Sequence, residues 1–101
     1  MMTSEGTIVL TGFKLEPAEK AIVDNLIQSY KHKILQRVGF KEIRLRMKKS
    51  LHGKVCLHEI QGALIGEKQF SVKTEDYNLF AAISDALERL MHEAQHYKSR
   101  K

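Results

Sequence analysis

Residues 41–49, KEIRLRMKK, alternate apolar and charged side chains, and that period decides which backbone they can adopt. In an extended chain Ile43, Leu45 and Met47 fall on one side and Glu42, Arg44, Arg46 and Lys48 on the other, giving a strand with one dry face and one wet, cationic face. Wound into a helix, the same residues would present no coherent apolar stripe. The sequence just before has the opposite period. Ile22, Val23, Leu26, Ile27, Tyr30, Ile34 and Val38 recur at steps of three and four, which predicts an amphipathic helix of about six turns. Pro17 suits its first position, Glu16 and Glu19 favour its N-terminal end, and Gly39 stops the run.

The other elements follow from these two. TIVLTGF is β-branched and apolar and reads as a first strand. After the alternating strand, SLHGK makes a turn and VCLHEIQGALI a third strand, whose alternation slips near Glu59 and Ile60 and suggests a bulge. GEK turns again, and QFSVKT returns with Phe70 and Val72 inward. Asn78 caps a last helix whose stripe is Leu79, Ile83, Ala86, Leu87, Leu90, Ala94 and Tyr97. The expected fold is α+β in the order β-α-β-β-β-α, a four-stranded sheet with both helices on one face, because helices on both faces would leave the strand alternation unexplained. At 101 residues this is one domain, with a core over about 7–98 and a fraying basic tail at 98–101.

Charge is distributed unevenly. Residues 31–54 hold nine Lys or Arg (Lys31, Lys33, Arg37, Lys41, Arg44, Arg46, Lys48, Lys49, Lys54) against Glu42 alone, whereas residues 1–30 have a net charge of −2. A basic concentration of this kind predicts a polyanionic partner, nucleic acid before an acidic membrane surface; a solvated basic face is the bland alternative. No apolar run approaches a membrane span, and MMTSEGTIVL lacks the basic start and long apolar run of a signal peptide, so a cytoplasmic protein is expected. Cys56, the single cysteine, is expected to be a buried structural thiol.

HEAQH, residues 92–96, has the spacing of a zinc protease, in which two His on one helix face hold the metal and the Glu serves as general base. His92 and His96 lie opposite the apolar stripe, with Asp85 and Arg89, and so face outward. A third ligand is needed; five residues follow His96, and His52 and His58 are the upstream alternatives, on a turn and a strand. The zinc hydrolase is therefore a remote reading. No catalytic, metal or cofactor site is assigned, and no small-molecule substrate is expected. Outward His92 and His96 have a second use beside Arg89 and Lys98, donating hydrogen bonds to phosphate oxygens, and inert surface is an equal alternative.

The closing helix, with its entry Asn78-Leu79-Phe80-Ala81-Ala82-Ile83-Ser84 behind three strands, resembles that of the ribosome hibernation-promoting factors, the translation-inhibitor or factor Y family, whose last helix opens on an Asp-Met-Tyr-Ala-Ala-Ile-Asp-like run. IVLTGFKLEPAEKAIVDNLI is similar to the family's first strand, loop and long helix, and the resemblance spans about residues 7–98. It implies a fold like that of double-stranded-RNA-binding domains, and a non-enzymatic protein that occupies the decoding region of the small ribosomal subunit and silences translation in resting cells. Departures are Asn78 and Ser84 for the usual Asp, Phe80 without the Tyr hydroxyl, His92 and His96 where Lys or Arg is usual, and a longer stretch over 57–80, which implies an extended hairpin. The RNA contacts expected are Lys31, Lys33 and Arg37 near the end of the first helix, Arg44, Arg46, Lys48 and Lys49 on the alternating strand, and Arg89, His92 and Lys98 on the last helix. Tyr30, Tyr77 and Tyr97 are candidates for base stacking, though such spacings more often serve packing. A protein-interaction module, using a strand edge or bare sheet face, is the alternative.

Overall fold

A computed structural model describes residues 6–99 of the chain, with side chains for residues 6–97. Of the tail expected to fray at 98–101, residues 98 and 99 continue the last helix, whereas residues 100 and 101, and the side chain of Lys98 with the role expected of it, lie outside what is described. The first strand, β1 (Thr7–Thr11), runs into Gly12, whose φ of 78° lies in the left-handed region. A Cβ on Gly12 would stand 2.6 Å from the Met47 carbonyl oxygen, so the chain can pass over the neighbouring strand only without a side chain. Helix α1 (Pro17–Arg37) then starts with Pro17 in its first turn, and the Glu16 N–H donates to Glu19 Oε1 at 3.1 Å. It ends at Val38, whose backbone is extended, one residue before the Gly39 expected to stop it.

Strands β2 (Glu42–His52), β3 (Val55–Ile65) and β4 (Gln69–Asp76) complete a sheet of order β1-β2-β3-β4, parallel between β1 and β2 and antiparallel elsewhere. Helix α2 (Leu79–Ser99) follows, and Asn78 caps it as the sequence indicates: its Oδ1 accepts the Ala81 N–H at 3.0 Å, while its own N–H donates to Asp76 Oδ1 at 2.8 Å. The order is the expected β-α-β-β-β-α, with both helices on one side of the sheet. Val23, Ile27 and Ile34 of α1, Ile43, Leu45 and Met47 of β2, Ile60 and Leu64 of β3, and the stripe from Leu79 to Ala94 of α2 form one buried cluster. Thr74, the buried polar side chain, donates to the Ala82 carbonyl at 2.8 Å and ties β4 to α2. Ile22, expected on the apolar stripe of α1, is 50% exposed at the rim.

Three details of the sequence reading are corrected. No bulge interrupts β3 at Glu59–Ile60, since its register with β2 and β4 is continuous there. The alternation is obscured because Leu57, Ala63 and Ile65 sit on the outer parity while His58 and Gly62 take inner positions. Gly62 leaves room for Leu90 and Leu45, whose methyls would come within 3.1 and 3.2 Å of a Cβ placed there. Second, the hairpin that overhangs the sheet is the one between β2 and β3, whereas β3 and β4 pair from Ile65–Gln69 to His58–Asp76 around a short turn. Third, Cys56 is half-buried on that overhang and not in the core.

The helices also meet through a polar contact. Tyr30 of α1 donates its hydroxyl proton to Glu88 Oε2 of α2 at 2.8 Å, and Lys33 Nζ stands 3.8 Å from the same oxygen and 5.1 Å from the Tyr30 ring centre. Partial burial, reinforced by the Glu88 carboxylate, raises the Tyr30 phenol above its ordinary value of 10.0. The folded state therefore holds this proton more tightly than the unfolded chain does. The resulting stability is complete below about pH 10 and is lost as pH rises through the raised value. In alkaline urea titrations Tyr30→Phe should flatten that decline and, at neutral pH, cost about 1–2 kcal/mol for a hydrogen bond to a charged group. Gly12→Ala should cost at least about 1–2 kcal/mol for its left-handed backbone alone, read as a lowered urea midpoint with unchanged slope.

Candidate nucleic-acid interface

With the helices on one side, the alternation of each strand sorts charge onto the other. Thr7, Val9 and Thr11 of β1 stand beside Glu42, Arg44 and Arg46 of β2, and Arg46 and Lys48 stand opposite Gln61 and Glu59 of β3. Gln61 in turn faces Lys73 of β4. These side chains form the open face, where a shallow hollow of about 660 Å³ is lined by Thr11, Arg44, Arg46, Gln61, Ser71 and Lys73 among others. Its cations are not equivalent. Arg44 is ion-paired with Glu42, and Lys73 lies 3.8 Å from Glu59, which also accepts from Gln61 at 3.1 Å. Arg46 and Lys48 pair with no carboxylate among the described residues and remain available to a polyanion.

Beyond this hollow the sheet narrows. β1 pairs with β2 only as far as Arg46, and β4 pairs with β3 only as far as His58, so Ser50–Leu57, Leu51–Cys56 and His52–Val55 have no third strand beside them. Three such pairs project about 10 Å as a two-stranded ribbon. It closes on Gly53 and Lys54, with φ of 68° at Gly53 and no positive φ at Lys54, the two-residue II′ pattern that matches the twist of an antiparallel pair. Residues 48–58 hold Lys48, Lys49, Lys54, His52 and His58 and no Asp or Glu. Lys49 shares the parity of Met47 and therefore lies on the helix side of the sheet, opposite His58.

The remaining expected contacts occupy the helix layer, and most of them stand beside carboxylates. Lys33 and His92 both approach Glu88, at 3.8 and 3.7 Å, and Arg89 pairs with Asp85 at 3.3 Å. Lys31 is half-buried, while Arg37 is exposed and pairs with no carboxylate among the described residues. The structure thus brings Arg44, Arg46 and Lys48 together on the open face, sets Lys49 on the helix side at the base of the ribbon, and keeps Lys31, Lys33, Arg37, Arg89 and His92 apart in the helix layer. Two cations outside the expected set join the first group. Lys73 was legible from the inward Phe70 and Val72, and Lys54 from the acid-free run around Gly53.

His92, Glu93 and His96 are exposed on α2, and among the described residues no three His, Cys, Asp or Glu side chains gather so as to hold a metal ion. His58 lies beside Asp76, just ahead of α2, whereas His92 is about 20 Å further along that helix, so His58 cannot complete a site with it. Tyr97 packs edge-on against Phe70 with ring centres 5.7 Å apart, and Tyr30 is held between the helices; Tyr77 is the tyrosine with an exposed ring. No helix is long and apolar enough to cross a membrane among the described residues.

No family model and no curated protein matches the chain. Among solved structures it is similar to the N-terminal domain of Protein Y from Thermus thermophilus, at 22% identity over 89% of this chain and 94% of that one, with a TM-score of 0.56. It is also similar to a ribosomal subunit interface protein from Coxiella burnetii, at 14% identity over 92% of this chain and 98% of that one, with a TM-score of 0.60. At such identities the likeness is one of fold, and it extends over about nine tenths of the chain.

Proposed function

We propose that this protein binds ribosomal RNA of the small ribosomal subunit and acts as a hibernation factor, silencing translation by sterically occupying the decoding region. The observation that carries this reading is the fold, matched over nearly its whole length by a protein named for the ribosomal subunit interface. The resemblance of residues 7–98 to the hibernation factors points the same way. The local chemistry supports it: Arg46, Lys48 and Lys54, which pair with no carboxylate among the described residues, run from the open face to the tip of the ribbon, and Lys49 adds a cation on the ribbon's helix side. Docking of this kind needs no bond-making. Phosphates replace condensed counterions around the cations, the released ions drive association, and the bulk of the domain excludes other ligands from the occupied site. Arg44 contributes less than Arg46 because Glu42 must first be displaced from it.

A binding surface of about six phosphate contacts loses roughly a thousandfold in affinity between 50 and 200 mM salt. The purified protein should therefore sediment with small ribosomal subunits at the lower salt and be released at the higher, and an Arg44→Glu/Arg46→Glu variant should stay in the supernatant at both. Failure of the natural sequence to sediment at low salt would overturn the proposal. A complex indifferent to salt would favour strand addition at a sheet edge in its place.

A further inference from the structure

The ribbon of residues 50–57 has a property that general basicity does not require: it bears apolar side chains on both of its faces at the tip. Leu51, which is 78% exposed, pairs with Cys56 and continues the helix-side parity of Met47 and Lys49. Val55, which is 52% exposed, pairs with His52 and continues the open-side parity of Arg46 and Lys48. Packing on a flat protein or lipid surface would call for apolar groups gathered on one face, with the other face polar. A blade that is apolar on both faces and flanked by lysines suits insertion between two apolar planes within an anionic surround.

Unpaired RNA offers that combination. Bases splayed from a loop or bulge present apolar faces about a gap, and phosphates line its margins. The major groove of a paired A-form stem is too deep and narrow for side chains to read, which makes continuous duplex the poorer host. We infer that the β2–β3 ribbon is an inserting arm for unpaired RNA: Leu51 and Val55 pack against bases on either side of it, while Lys48, Lys49 and Lys54 hold the flanking phosphates. Apolar wedges between bases are an established device of architectural nucleic-acid proteins, and the acid-free sequence from 48 to 58 supplies the charge complementarity. Two carboxylates stand at the base of the arm and both are engaged: Glu59, opposite Lys48, by Lys73 and Gln61, and Asp76, beside His58, by the Asn78 N–H. The inference rests on the proposed RNA-binding function and adds the part of the molecule that enters the RNA and the kind of RNA it enters.

The test compares a stem–loop RNA with a blunt duplex of equal length, using the full chain and two exposed-residue variants whose melting curves are recorded alongside. The natural sequence should bind the stem–loop roughly tenfold more tightly than the duplex, in keeping with the worth of a contact to one base face. Leu51→Thr/Val55→Thr, which keeps strand propensity, should lose that preference with the salt slope unchanged. Lys48→Gln/Lys49→Gln/Lys54→Gln should lower the slope of log K against log salt by about two, close to 0.7 for each phosphate contact on a single strand. Equal binding of stem–loop and duplex by the natural sequence overturns the inference, as do unchanged stem–loop affinities in both variants, or binding to phosphatidylserine vesicles but to neither RNA. Ribosomal subunits are assayed in parallel. Loss of subunit binding with stem–loop preference intact sinks the proposed function alone, and subunit binding indifferent to both arm variants sinks the arm alone.

Discussion

Everything in this molecule depends on keeping water from one face of a four-stranded sheet. Ile43, Leu45, Met47, Ile60 and Leu64 stand on that face and can be buried only if both helices lie across it, because neither helix alone spans four strands. Once both helices are committed there, no helix among the described residues remains to cover the opposite face. The alternation that directs apolar residues inward then directs Arg44, Arg46, Lys48 and Lys73 outward onto a surface without a lid. The cationic face is a geometric consequence of drying the other one.

Most of this architecture could be read from the chain because it rests on local signals. The helix entries carry Pro17 and Asn78, the period changes after Gly39, and from Ile43 to Met47 the inward residues of β2 are all apolar and buried. β3 was harder to read, since a central strand buried partly on both sides tolerates Leu57, Ala63 and Ile65 on its outer parity, and an inward glycine answers to the neighbouring Leu90 and Leu45 and not to hydropathy. The overhanging ribbon was not legible at all from β2 or β3. Their length, eleven residues each, does not say which of their pairs stand beyond the neighbouring strands. What makes their last pairs protrude is that β1 stops at Thr11 and β4 at Asp76, a relation among four segments that no local pattern contains.

The same distinction governs the charges. Along the chain, residues 31–54 form one basic block, but folding cuts it at the sheet. The part on α1 meets the acids of α2, where Glu88 accepts from the part-buried Tyr30 hydroxyl and stands near Lys33 and His92, and the exposed ion pairs among these contribute little to stability while lowering the free charge of the surface. The part on β2 meets residues of β1 and β3 across the ladder, among them Gln61 opposite Arg46, and beyond Glu59 it meets no acid. Counting cations along the sequence therefore overestimates the helix layer as a polyanion surface and underestimates the ribbon, where Lys54 has no acid in the run around it and stands beyond the acids of the sheet.

A ribbon that no helix covers lies outside the cooperative core. Its cross-strand pairs rest on their own hydrogen bonds and on a tight turn at Gly53, so its local opening free energy should be well below that of the sheet centre. Two things follow. Changes at Leu51, Lys54 or Val55 alter what the arm can bind with little effect on whether the domain folds, so recognition and stability vary independently here, in contrast to the open face, where Arg46 is next in the chain to buried Leu45. An arm held only by its base also adjusts its twist as it enters a gap, and it is ordered further by what it enters. That ordering subtracts from affinity but lets one short hairpin accommodate the irregular geometry of unpaired bases.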